Sequence, residues 1–316
     1  MGQPQRAVPM RAGALVLAAL VTALSAAAGC AANPQLTTTS HSAPGSDADT
    51  GTDTDPGSAP SSAPASSSSP PPPSSSASPT RAIWHPAPRL TWQWQLTEPV
   101  DTSVNAQVYD IDGTENSAAV VSDLHAAGRK VICYVNTGAY ESFRPDAASF
   151  PTSVIGLSNG WPGERWLDVR QLRVLRPIIA ARFAACAAKG FDGIEADNVD
   201  GYQNDSGFPL TAADQLAYNR MLAALAHADG LAIGLKNDLD QVPDLVPDFD
   251  FAVNEQCAEY SECDALKPFI AAGKAVFHVE YNLPLSEFCA QTTALGLSSM
   301  RKNTSLDAPR WPCPAA

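Results

Sequence analysis

Short apolar runs alternate with longer amphipathic runs from residue 91 to the end of the chain. Runs rich in β-branched and aromatic residues predict nine strands, in the order 91–96, 106–112, 130–140, 165–170, within 190–202, 231–238, 249–256, 274–282 and 297–303. Helices are predicted at 117–128, 174–190, 211–229 and 264–273, and Pro177 is expected in the first turn of the second. This alternation indicates a parallel sheet.

The predicted domain spans roughly residues 82–316, a length that suits a single (β/α)8 TIM-type barrel. Nine strands are one too many, so one of the first two runs is expected to be irregular or to lie outside the barrel. An open doubly wound sheet is the competing architecture. No G-x-G-x-x-G motif and no phosphate loop occurs, so nucleotide binding is not expected.

Polar residues cluster late in seven of the predicted strands. Because the carboxyl ends of barrel strands meet at one rim, these residues predict a shared cleft rather than ordinary polar loops. The pairs are Asp110 and Asp112, Asn136 and Tyr140, Asp168 and Arg170, Asp197 and Asn198, Lys236 and Asn237, Asn254 and Glu255, and Glu280 and Tyr281.

The stretch "GFDGIEADNVDGY" at 190–202 carries four acidic residues. Alternation along a strand gives Glu195 and Asp197 the same face and directs both into the barrel, with Asp197 nearer the rim. Asp192 begins the strand and is expected to be structural. Asp200 follows the strand and suits a turn or a substrate contact equally well.

The first 81 residues lack the features of a folded domain. Residues 1–30 combine two arginines, an apolar run and small residues ending at Cys30, which is typical of a secretory signal peptide with a lipobox-like end. Cys30 is therefore a candidate for lipidation and membrane anchoring, although a chance cysteine near an ordinary cleavage site remains the alternative. Residues 31–81 are rich in Ser, Pro and Ala and are expected to form a disordered tether. A secreted or lipid-anchored, extracytoplasmic protein is expected.

Six cysteines follow Cys30, and an even number in an exported chain suggests disulfides. Of the 15 possible connectivities, proximity in sequence favours Cys257–Cys263 and Cys289–Cys313, which leaves Cys133–Cys186. Some of the six could instead be free and buried. The net charge of the whole chain is −13, with no basic patch, so nucleic acid is not expected and a cationic partner is favoured. The spacing of ligands indicates no metal and no cofactor.

The chain resembles glycoside hydrolase family 114, the endo-α-1,4-polygalactosaminidase-like barrels. The residues that carry the resemblance occur in family order over about 92–282: "WQWQL", "VYDIDG", "VICYVNTGAYESFRPD", "WLDVR", "GFDGIEADNVDGY", "GLKN", "VNEQC" and "VFHVEYN". The resemblance implies a barrel that cleaves α-1,4-linked galactosamine polymers. It also implies a carboxylate pair at Asp197 of "EADN" and Glu255 of "VNEQ"; Ala196 stands where many relatives have proline.

The chemistry of glycosidic cleavage fits that pair, because one carboxyl must protonate the leaving oxygen and another must attack the sugar or activate water. We expect a retaining reaction with Asp197 as nucleophile and Glu255 as general acid/base. The remaining rim residues are candidates for binding an amino sugar: Trp94, Asp110, Asp112, Tyr134, Asn198, Lys236, Asn237, Glu280 and Tyr281. Trp94 shares a face with Trp92, so both could equally be core, and Lys236 could instead hold Asp197 ionised. Another α-galactoside as substrate, or a non-catalytic carbohydrate-binding surface protein, are the alternatives.

Overall fold

The structure is a computed structural model that describes residues 82–314. Its strands in chain order are β1 (Trp92–Gln95), β2 (Val108–Asp112), β3 (Lys130–Asn136), β4 (Ala139–Glu141), β5 (Ile155–Ser158), β6 (Glu164–Leu167), β7 (Gly193–Asp197), β8 (Ala232–Lys236), β9 (Phe251–Glu255), β10 (Val276–Glu280), β11 (Ser298–Lys302) and β12 (Arg310–Pro312). The helices are α1 (Ala118–Ala126), α2 (Leu172–Lys189), α3 (Ala212–Ala228), α4 (Val242–Leu245), α5 (Lys267–Ala271) and α6 (Leu285–Leu295). The signal-peptide, lipidation and tether predictions for residues 1–81 lie outside the described residues.

Eight parallel strands form the barrel predicted from the sequence, in the order β1-β2-β3-β7-β8-β9-β10-β11, and β12 adds an antiparallel edge beside β11. The expectation that one of the first two runs lies outside the barrel is wrong, because both β1 and β2 belong to it. The extra run is 165–170, which contributes to β6 in a separate three-stranded sheet of order β4-β6-β5. We call this the small sheet; it lies within the β3–α2 connection, on the side of the barrel where β3 ends.

The gap between β1 and β11 is closed by contacts other than a strand ladder. The backbone N–H of Leu96 donates to the carbonyl of Leu306 at 2.9 Å. The guanidinium of Arg310 donates to the carbonyl of Trp92 at 2.6 Å, and the indole N–H of Trp92 donates to the carbonyl of Ser298 at 2.8 Å. The C-terminal segment therefore completes the barrel wall along β1.

The barrel interior is filled by side chains that alternate inward along the strands. Trp92 stacks on Trp94 and also contacts Phe277, whose ring meets that of Phe251 edge-on. A Cβ at Gly234 would lie 2.2 Å from the Phe251 ring, so only glycine leaves room for that ring. This apolar layer fills the lower barrel and supports the polar residues at the C-terminal rim.

The outer faces of the strands pack against the helices in a second, larger apolar cluster. The N-terminus of α3 is closed by a capping box between Thr211 and Asp214, as the sequence predicts. Helix α2 begins at Leu172, so the expectation that Pro177 lies in its first turn is wrong; Pro177 is inside the helix. No helix among residues 82–314 is long and apolar enough to cross a membrane.

Three disulfides join Cys133 to Cys186, Cys257 to Cys263 and Cys289 to Cys313. These are the pairs that proximity in sequence favours. The first links the barrel strand β3 to α2, and the third ties α6 to the C-terminal segment. Together they fix the β3–α2 unit and the closing segment to the barrel.

Candidate active site

Three charged side chains meet at the C-terminal ends of neighbouring strands. Asp197 ends β7, Lys236 ends β8 and Glu255 ends β9. Lys236 Nζ lies 3.0 Å from Asp197 Oδ1 and 3.4 Å from Glu255 Oε2, so it stands between the two carboxylates. The distance between those two oxygens is therefore at most the sum of the two, about 6.4 Å.

Lys236 is almost fully buried, with a side chain that is 4 % exposed. Burial alone would lower its pKa, but the charges of Asp197, Glu255 and Glu195 outweigh that effect and raise the pKa well above its ordinary range. Its ammonium also lies 4.7 Å from the centre of the Trp94 ring. Lys236 therefore stays protonated and positively charged between the two rim carboxylates.

Asp197 is held by donors on both of its oxygens. Tyr134 Oη donates to Asp197 Oδ2 at 2.7 Å, and Asn198 Nδ2 donates to the same oxygen at 3.1 Å. Burial by itself would raise the pKa of Asp197, yet the charge of Lys236 and these hydrogen bonds together lower it. The result is an ionised carboxylate in a fixed orientation, with 16 % of its side chain exposed.

Glu255 is the more accessible acid, with 27 % of its side chain exposed. Tyr281 Oη donates to Glu255 Oε1. Asn237 Oδ1 accepts from the backbone N–H of Glu255 at 2.9 Å, which aligns the end of β9 with that of β8. Both Asn198 and Asn237 have positive φ, at 60° and 49°, a conformation that asparagine tolerates and that turns the chain sharply at the rim.

A second pair of carboxyls lies beneath the rim. Asp110 and Glu195 face each other inside the barrel, both fully buried. Burial, then the charge of Glu195, raises the pKa of Asp110 well above its ordinary value, and burial raises the pKa of Glu195 to about 7 despite Lys236.

Comparisons with known proteins identify the family of this chain. Residues 73–315 match the model of glycoside-hydrolase family GH114. The chain belongs to this family. A solved structure of Aspergillus fumigatus Ega3 in complex with galactosamine is 40 % identical, with a TM-score of 0.71 over 74 % of this chain and 99 % of that chain.

Two further relatives are more distant. The glycoside hydrolase domain of PelA from Pseudomonas aeruginosa is 15 % identical, with a TM-score of 0.56 over 70 % of this chain and 97 % of that domain. An uncharacterized protein of Deinococcus radiodurans is 29 % identical over 252 residues, which cover 68 % of this chain and 81 % of that protein. The PelA likeness supports the barrel fold, and membership of GH114 makes this chain a glycoside hydrolase.

The rim brings together most of the residues that the sequence indicated for a GH114 site. At the rim, hydrogen bonds join the following residues: Tyr134, Asp197, Asn198, Lys236, Asn237, Glu255 and Tyr281. Glu195 lies directly below them, as strand alternation predicts. Asp192 is structural, as expected, since it contacts Lys130 Nζ at 2.8 Å and His125 Nε2 at 2.7 Å at the opposite end of β7.

Four predicted sugar-binding residues lie elsewhere, and these expectations are wrong for direct contact. Trp94 and Asp110 are buried in the barrel interior. Asp112 forms an ion pair with Arg144, whose Nη2 lies 2.6 Å from Asp112 Oδ2 and whose side chain is itself buried. Glu280 points to the outer face of β10, where its Oε1 lies 2.9 Å from His278 Nε2 and accepts from the backbone N–H of Ala258.

The small sheet supplies a residue that the sequence did not indicate. Glu164 of β6 accepts from Asn136 Nδ2 at 3.1 Å and from Asn159 Nδ2 at 2.8 Å. Burial, aided by the charge of Asp197, raises its pKa. The sequence gives no signal for Glu164, because it predicts the run 165–170 as a barrel strand whose polar end is Asp168 and Arg170. Those two pair with each other at 2.7 Å outside the barrel.

A cavity of about 260 Å³ lies outside the barrel, between β3 and α2. Its charged groups are already paired: Arg144 contacts Asp112 and Glu141, and Arg182 contacts Asp146 at 2.7 Å. These pairs hold the β3–α2 connection in place, and the carboxylates of the rim remain the candidate site.

Proposed function

We propose that this GH114 glycosidase cleaves α-1,4-linked galactosamine-type polysaccharide, with internal cuts and retention of anomeric configuration. The observation that carries the proposal is the pair of rim carboxylates around Lys236, in a chain 40 % identical to Ega3, whose structure was determined with galactosamine. In this reaction Asp197 is the nucleophile and Glu255 is the general acid/base.

The first step forms a bond between Asp197 and the anomeric carbon of the sugar. The glycosidic bond breaks, and the leaving oxygen takes the proton of Glu255. In the second step Glu255 removes a proton from water as the water attacks the same carbon, and Asp197 is released as a carboxylate. Glu255 then carries the proton it began with, so the enzyme is restored.

The surroundings of each acid support these roles. The charge of Lys236 and the phenol of Tyr134 keep Asp197 ionised, which a nucleophile requires. Glu255 is more exposed than Asp197, as suits a group that exchanges a proton with the leaving oxygen and with water. Asp197 Oδ1 and Glu255 Oε2 are at most about 6.4 Å apart, which is compatible with the separation of about 5–5.5 Å that is usual for retention.

The negative charge of the protein suits a cationic polymer, since the whole chain carries a net charge of −13. A deacetylated amino sugar carries an ammonium at neutral pH, so it is attracted where a neutral hexose is not. We therefore assign the deacetylated form of the polymer as the preferred substrate.

The N-terminal sequence extends the proposal to location. We expect residues 1–30 to act as a signal peptide, Cys30 to be lipidated and the Ser/Pro/Ala-rich residues 31–81 to serve as a tether, so that residues 82–316 would lie outside the cytoplasm. Replacing Cys30 with serine tests this: the domain should move from the membrane fraction to the medium, and unchanged fractionation would contradict lipid anchoring.

The decisive experiment compares wild type with Asp197→Asn and Glu255→Gln on purified deacetylated α-1,4-galactosamine polymer. Release of reducing ends should fall by at least about 10³-fold in each variant, since each removes a group that takes part in bond cleavage. Nuclear magnetic resonance of the first products should show the α-anomer. Activity that survives in both variants would refute the assignment, and binding without turnover by the wild type would make the protein a carbohydrate-binding module instead.

A further inference from the structure

The small sheet exposes an unusual concentration of large apolar side chains. Phe143 is 60 % exposed, Trp161 is 56 % exposed and Leu157 is 46 % exposed. In the described chain only Tyr260 and Trp311 are comparable among large apolar residues. Contiguous apolar surface on a soluble protein often marks a binding site.

Phe143 and Trp161 flank one turn of this sheet. Trp161 lies in the β5–β6 hairpin, where its carbonyl accepts from the backbone N–H of Glu164 at 3.1 Å. A Cβ at Gly163 would lie 3.3 Å from the Phe143 ring, so this ring rests on the same turn. The hairpin therefore carries the indole of Trp161 and the carboxylate of Glu164 three residues apart, and the Phe143 ring lies against Gly163 between them.

A continuous chain of hydrogen bonds joins this hairpin to the candidate nucleophile. Asn198 Nδ2 donates to Asp197 Oδ2 and also to Asn136 Oδ1, both at 3.1 Å. Asn136 Nδ2 donates in turn to Glu164 Oε2 at 3.1 Å. Glu164 is thus two side chains away from Asp197, on the same rim of the barrel.

The second oxygen of Glu164, Oε1, accepts no hydrogen bond from a residue between 82 and 314. Both amide donors, from Asn136 and Asn159, reach Oε2. Oε1 accepts no hydrogen bond from the residues that the structure describes, and it is not among their buried unpaired atoms, so it faces solvent. An ammonium group can approach this oxygen, and the nearby charge of Asp197 adds to the attraction.

We propose that Glu164 and Trp161 form an accessory sugar subsite on the small sheet, outside the residues that cleave the bond. The Glu164 carboxylate binds the ammonium of an amino sugar, and the Trp161 indole stacks against the apolar face of the same or the next sugar. This inference rests on the proposed function. It predicts that efficient cleavage requires a long substrate, because the subsite binds sugars away from the scissile bond. It also makes the small sheet a determinant of specificity for deacetylated chains.

The test uses the whole protein and a length series of deacetylated α-1,4-linked galactosamine oligosaccharides. Trp161→Ala and Glu164→Gln should each lower kcat/KM on the long polymer about tenfold, mainly through KM. Both should leave kcat/KM on the shortest cleaved oligosaccharide within about twofold of wild type. Trp311→Ala is the matched control: this tryptophan is also exposed, but it lies on β12 at the outer edge beside β11, and its loss should change neither value.

N-acetylation of the polymer distinguishes the role of Glu164 from that of Trp161. On fully N-acetylated polymer, which has no ammonium, Glu164→Gln should behave as wild type while Trp161→Ala keeps its defect. Equal losses on short and long substrates would overturn the subsite and make these residues supports of Asp197. The subsite would also be overturned if the wild type cleaves galactosamine polymer and both variants cleave it equally well. If the wild type cleaves no galactosamine polymer, the proposed function itself is refuted.

Discussion

Replacing Lys236 with methionine tests the electrostatic basis of the site. Methionine keeps an unbranched apolar chain against Trp94 and removes the charge, together with the hydrogen bonds that Lys236 Nζ donates to Glu195 and Asp197. Coulomb's law with an effective dielectric constant of about 20 gives about 5 kcal/mol for unit charges separated by the 3.0 Å between Lys236 Nζ and Asp197 Oδ1. Desolvation offsets part of this energy, so we expect the pKa of Asp197 to rise by about two units, within the range that a nearby opposite charge produces.

The pH dependence of kcat/KM measures this shift. Below its pKa Asp197 is protonated and cannot attack, so the acidic limb of the profile should move about two pH units upward in Lys236→Met. On that limb the variant should be about 100-fold slower than wild type at the same pH, since each unit is a factor of ten. At neutral pH the deficit should be smaller, because Asp197 is again ionised.

A control variant separates this effect from the general effect of replacing a hydrogen-bonded lysine with methionine. Lys274 donates to the carbonyls of Val246 and Phe249 at the opposite end of the barrel, so Lys274→Met should leave the acidic limb in place. Circular dichroism and thermal unfolding establish whether each variant is folded. A folded Lys236→Met protein with an unmoved acidic limb would show that Lys236 does not control the ionisation of Asp197.

Three other predictions concern stability and backbone geometry. Burial, then the charge of Asp200, raises the pKa of Asp238 to about 8; the folded state therefore holds this proton longer than the unfolded state, and stability falls as pH rises from about 4 to 8. Asparagine also suits the φ of 46° at this position. The free energy of unfolding of Asp238→Asn, measured by urea titration, should therefore exceed that of wild type by about 1–3 kcal/mol between pH 5 and 8. A difference that does not depend on pH would contradict this. Removing the Cys133–Cys186 disulfide, which closes a loop of 53 residues, should cost about 4 kcal/mol by the chain-entropy model, measured as the midpoint of denaturation. A Cβ at Gly138 would lie 1.6 Å from the carbonyl oxygen of Asn198, so Gly138→Ala should lower kcat well beyond its effect on stability, and an unchanged kcat would show that this contact does not position the rim.

Strand alternation predicted the central residues of the site because β7 is unambiguous. Glu195 and Asp197 share a face with Gly193, while the other face is apolar and packs against helices. The same reasoning failed at β10. Its apolar residues occupy both faces, so the pattern could not show that Glu280 points outward to His278.

Partners that are distant in sequence were beyond prediction. Asp112 has the inward position that the pattern indicates, but Arg144, 32 residues later, neutralises it. The small sheet was missed for a related reason. Residues 165–170 have the composition of a strand, and the absence of a helix between them and β3 was the available sign that they belong to a connection rather than to the barrel.

The closure of the barrel by residues 303–313 imposes an order on folding. Until that segment has been made, β1 and β11 have open edges, and Cys289 lacks its disulfide partner Cys313. The barrel can therefore be completed only after residues 303–313 have been synthesised, because they contact both β1 and α6. Truncations before Cys313 should leave an aggregation-prone open sheet, whereas extensions beyond it should be tolerated.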